Sequence, residues 1–172
     1  MTPYEQFQQA LIEAQARDDA TWPEQQKRFS ICREFADALL THVRTYLGLP
    51  MERAEHLVYF RPHGASVTPD RTGQALQIKE GYYEIAMDVV TKLASGKAHA
   101  LYAVIHIFDL GGTRYKIIWD GSNALQNEIE VDSGDPSTLG AFSSKLVHDI
   151  LEFYKDSPNV CEYGRSRIGF RH

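Results

Sequence analysis

His106 is the residue whose type and setting most plainly ask for chemistry. It stands among Ile105, Ile107 and Phe108 in the run AVIHIFDLGGTRYKIIWDG, residues 103 to 121. An imidazole changes charge near neutral pH, so one set inside an apolar strand is either a working group or a hydrogen-bonded part of the core. Three further sets invite the same question. Arg61, His63 and Arg71, with Asp70, lie in the turn-rich stretch around PHGASVTPDRTG and form a weak candidate for binding a phosphate or carboxylate. Arg165, Arg167 and Arg171 mark the tail GRSRIGFRH. Val90, Ile105, Ile107 and Ile118 are candidates for an apolar interface inside a charged rim.

The elements that position these residues follow from periodicity. A stripe of Tyr4, Phe7, Leu11 and Ala14 predicts a helix over about 3 to 17, and Phe29, Cys32, Phe35, Leu39 and Val43 predict a second over about 23 to 47. DDATWP separates them, with Thr21 as cap and Pro23 in a first turn. From residue 56 to residue 132 the period becomes two, giving about six strands; YYEIAMDVVTKL alternates strictly and reads as strand. Asp135-Pro136 opens a last helix, to about 155. Residues 1 to 158 thus read as one α+β domain, an antiparallel meander with two N-terminal helices and one C-terminal helix packed on one face, followed by a tail over 159 to 172.

Turn chemistry assigns the faces. Gly111-Gly112 as a two-residue hairpin loop pairs His106 with Ile117 and Phe108 with Tyr115. Gly96-Lys97 as the preceding turn pairs Met87 with His106. This register puts His106 on the helix-covered face, with Met87, Tyr102, Tyr115 and Asn127 around it as a candidate ligand pocket.

Composition narrows the classes. The chain has 172 residues, 43% hydrophobic and 24% charged, enough to bury a core. A net charge of -5 argues against nucleic acid as the partner. Neither a membrane span nor a secretory leader is expected, and two widely separated cysteines, Cys32 and Cys161, read as reduced thiols in the cytoplasm. The spacing of Cys and His predicts no metal site and no cofactor; His148 and Glu152 read as a surface pair, and no nucleophile elbow is present. The expectation is a non-enzymatic binding protein that acts through protein–protein contacts, as an adaptor, inhibitor or immunity-type partner or as a homodimer. Its rival is a small-ligand binder or enzyme with a pocket between sheet and helices near His106.

Overall fold

The computed structural model describes residues 2–49, 57–60, 75–92, 98–120, 126–156 and 164–167. The architecture is α+β. One helix, α1 (Pro3–Tyr46), precedes the strands, where two were expected. Thr2 caps it: its hydroxyl accepts from the Glu5 N–H, and the Glu5 carboxylate accepts from the Thr2 N–H at 2.6 Å. Pro23 lies inside the helix. It removes one N–H, the one that would reach the Asp19 carbonyl, while its neighbours Ala20, Glu24, Gln25, Gln26 and Lys27 are all compatible with helix, so the window outweighs its single breaker. Thr21 does not cap; its hydroxyl turns back on the Arg17 and Asp18 carbonyls, 3.1 Å from each.

The strands are β1 (Leu57–Phe60), β2 (Gln77–Lys79), β3 (Tyr82–Lys92), β4 (Ala98–Gly111), β5 (Arg114–Asp120), β6 (Gln126–Asp132) and β7 (Gly164–Arg167). Five of them form an antiparallel path in the order β1-β3-β4-β5-β6, in place of the expected six-strand meander. β1 and β2 lie end to end along one edge of β3, at 86 to 89 and 82 to 84. β7 adds to β4 in parallel, with Ala100 opposite Arg165 and Tyr102 opposite Arg167. The second helix, α2 (Pro136–Asp156), follows β6. No described helix is long and apolar enough to cross a membrane.

Both helices cover one face of the sheet. Cys32, Phe35, Ala36, Leu39 and Val43 of α1 and Leu139, Phe142, Leu146 and Ile150 of α2 are buried there. They meet Ile85 and Met87 of β3, Leu101, Ala103, Ile105 and Ile107 of β4, Tyr115, Ile117 and Trp119 of β5, and Val131 of β6. Each large side chain fully buried in this layer contributes about 2 kcal/mol. Phe35 stacks on Tyr115 at 3.8 Å between ring centroids, and Phe142 meets Trp119 edge-on at 5.2 Å. The helices also touch through His42 and Ser143, 3.0 Å apart. The Ser143 hydroxyl donates to the Leu139 carbonyl, so it accepts from His42 Nδ1.

The expected register fails at β4, on both sides. Gly111 pairs with Arg114, the loop is Gly112-Thr113, and the register shifts between Asp109 and Gly111, leaving Leu110 as the additional residue of a β-bulge. Gly111 and Gly112 adopt φ 92° and 66°, a left-handed backbone that suits glycine, and Asp109 Oδ1 accepts from the Gly111 N–H at 2.8 Å. Ile107 therefore faces Ile117, where His106 was expected. On the other side Met87 faces Ala103 and not His106. A slip of an odd number of residues exchanges the two faces of a strand. Ile105 and Ile107, expected outside, are completely buried, and His106 lies on the face away from the helices.

Candidate functional site

On that open face His106 meets an ion cluster. Its Nε2 is 3.2 Å from Glu84 Oε2, and Lys79 Nζ is 3.3 Å from Glu84 Oε1. Glu84 is only 6% exposed. The register explains the arrangement, because Glu84 and His106 are direct cross-strand partners and Lys79 lies diagonally across from Glu84. Tyr82 walls the cluster, its ring 5.0 Å from that of His106 and 5.3 Å from that of Phe108. Lys116 Nζ sits 5.4 Å from the centre of the Phe108 ring. The carboxylate lies between the imidazole and the ammonium, and its contact with Nε2 orients the ring.

The five residues of the expected pocket do not converge. Met87 is packed in the core and Tyr115 is stacked under Phe35, both on the face opposite His106. Asn127 donates to Asp149 Oδ2 at 2.7 Å; the same oxygen takes the Trp119 indole N–H at 2.9 Å, so Asn127 ties α2 to the sheet. Tyr102 lies on the His106 face, packed against Ala86 and Val104. Of the expected interface, Ile105 and Ile107 are core, Ile118 is half-buried on the open face beside His106, and Val90 pairs through its backbone with Ala100. Arg61, His63, Arg71 and Arg171 lie outside the described residues. Among the described residues, no group of three or more His, Cys, Asp or Glu side chains is placed to hold a metal ion.

Cys32 and Tyr115 form a second titratable cluster, under α1. Burial first, and then the Asp109 charge, push the Cys32 thiol up to about 12. Burial, followed by Cys32 and Asp109, pushes the Tyr115 phenol up to about 12, and burial raises Tyr83 as well. A thiol so shifted stays protonated at neutral pH, and the thiolate is the nucleophilic form. The cluster is therefore an uncharged part of the core at neutral pH.

The feature that stands out is α1 itself. Its C-terminal half lies on the sheet, but Tyr4, Phe7, Leu11, Ile12 and Trp22 are between 58% and 67% exposed. Tyr4, Phe7, Leu11 and Ala14 recur in steps of three and four, and after Asp18 the same rhythm continues through Trp22, Gln25, Phe29, Cys32, Ala36, Leu39 and Val43. Tyr4, Phe7, Leu11 and Trp22 thus continue, on the same side of the helix, the stripe that packs on the sheet further along, while Ile12 lies beside it. Where the helix meets the sheet, two clefts flank Arg28 and Asp109. One, of about 490 Å³, is lined also by Glu24, Lys27, Ile31 and Tyr115. The other, of about 320 Å³, is lined also by Gln25, Ile78, Lys79, Tyr82 and Tyr83. The sequence shows the stripe as Tyr4, Phe7, Leu11 and Ala14, expected to pack on the sheet; Trp22, on the same line, is the signal that it runs on unbroken through Pro23.

The chain matches no protein-family model, no curated protein and no solved structure.

Proposed function

We propose that this chain is a non-enzymatic binding protein that acts through protein–protein contacts made by the projecting half of α1, residues 3 to 22. One observation carries the reading: four large apolar side chains, Tyr4, Phe7, Leu11 and Trp22, lie uncovered along a helical stripe whose continuation is core. Contiguous exposed apolar surface marks a contact surface. Helices gain most of their stability from packing an apolar face, and among the described residues this segment packs none. A cytoplasmic setting belongs to the same proposal, supported by the free thiol of Cys32.

The test is the triple variant Phe7→Glu, Leu11→Glu and Trp22→Glu, compared with the unaltered protein by light scattering and by affinity capture. The near-ultraviolet circular dichroism of the core serves as the folding control. The expected result is an association, with itself or with another protein, that the variant loses while the core spectrum is unchanged. Identical masses and identical captured proteins for the two forms would overturn the reading.

A further inference from the structure

We infer that the occupant of the projecting half of α1 is the same segment of a second copy, paired antiparallel over residues 3 to 30. The inference rests on the protein-contact reading and names its partner. Centred between Ala16 and Arg17, antiparallel pairing sets Leu11 against Trp22 and Tyr4 against Phe29, large apolar residue on large apolar residue. Ala10 falls opposite Pro23, where a small side chain leaves room for the ring. Glu5 falls opposite Arg28. None of the acids Glu5, Glu13, Asp18, Asp19 and Glu24 meets another acid. Parallel pairing would set each of them against its own copy, and it would align the two helix dipoles unfavourably. Arg28 already pairs with Glu24 at 3.2 Å, but both are about 60% exposed, so this bond is weak and leaves the guanidinium able to take a second carboxylate.

The end of the pair has a seat. A helix approaching along the stripe brings the second copy's Tyr4 to Phe29, where α1 settles on Tyr83. The cleft of about 320 Å³ opens there, with Ile78, Tyr82 and Tyr83 as its apolar wall and Lys79 and Arg28 as cations to meet Glu5. The four exposed stripe residues of the two copies together carry roughly 1,000 Å² of surface, the scale a specific interface requires.

Crosslinking in a Cys161→Ser background reads the alignment, because Cys32 is buried and protonated. Chains carrying Leu11→Cys are mixed with chains carrying Trp22→Cys and oxidised. The expected product is the mixed dimer, with little dimer from Leu11→Cys alone. A charge reversal reads the pairing. Glu5→Lys is expected to weaken dimerisation several-fold, and Glu5→Lys combined with Lys27→Glu and Arg28→Glu to restore it. Efficient Leu11→Cys homodimers would overturn the antiparallel alignment. A mass of one chain at every concentration would overturn self-pairing altogether. In that case the protein-contact reading stands only if the triple variant of residues 7, 11 and 22 still loses a captured partner, so the two failures are told apart.

Discussion

Glu84 and His106 face each other across β3 and β4 with 3.2 Å between carboxylate and imidazole, on the side of the sheet that neither helix covers. Glu84 has two partners, Lys79 and His106, and little exposure, so losing one and losing both should cost unequally. His106→Phe leaves Lys79 in place and is expected to cost about 1 kcal/mol. The double change Lys79→Met with His106→Phe strands a buried carboxylate and should cost about 3 kcal/mol or more, exceeding the two single changes added together. Urea midpoints for the four proteins measure this. Simple additivity would show that Glu84 is solvated in solution.

Asp149 accepts from both the Trp119 indole and the Asn127 amide. Asp149→Ala leaves two donors facing a largely dry site and is expected to cost about 2 to 4 kcal/mol, whereas Asp149→Asn keeps one acceptor and should cost less. The chain has two tryptophans, so a Trp22→Phe background isolates the emission of Trp119. Its maximum is expected to shift in Asp149→Ala before any unfolding, and an unmoved spectrum would speak against the bond.

Alkaline pH should destabilise the fold. Cys32 and Tyr115 both titrate near 12 when folded, against 9.0 and 10.0 ordinarily. As pH rises past about 9 the unfolded chain loses protons that the folded chain keeps, so stability falls through the interval up to about 12. Below 9 these groups contribute no slope. The variant Cys32→Ala with Tyr115→Phe should flatten the alkaline limb of the thermal-midpoint profile. In the native protein Cys32 should also resist thiol reagents at pH 8 and react on unfolding.

The turn after β4 depends on backbone conformation. Gly111 stands at φ 92° with open space where a Cβ would lie, so the cost of a side chain there is conformational and not steric crowding. Gly111→Val is expected to cost about 2 kcal/mol and Gly111→Asn about half as much, since asparagine tolerates the left-handed region better. Equal costs in chemical denaturation would refute this account.

Much of the architecture was legible in residue periodicity, and two particular features were not. Strict alternation along Tyr83, Ile85 and Met87, and along Tyr115, Ile117 and Trp119, does mark the covered face. β4 carries apolar residues on both sides, with Val104, His106 and Phe108 interleaved among Ala103, Ile105 and Ile107, so its own pattern could not choose a face. The choice then hung on one turn, where two adjacent glycines allow two frames and the bulge at Leu110 selects the other. The unbroken α1 is hidden by Pro23, a single breaker whose cost the helix-compatible residues around it outweigh. The candidate contact surface was half legible. Periodicity tells which side of a helix is apolar, and it is silent about what lies against that side.

Pro23 gives α1 a geometry with its own consequence. The 20 or so residues before it form a rod of roughly 30 Å, at 1.5 Å per residue, which among the described residues is anchored at its far end alone. A change of about 10° at the proline, where one backbone hydrogen bond is already missing, would carry the tip through roughly 5 Å. That arc exceeds the reach of an apolar contact, about 4 Å, so a small adjustment at one residue decides whether the side chains at the tip touch whatever the arm grips.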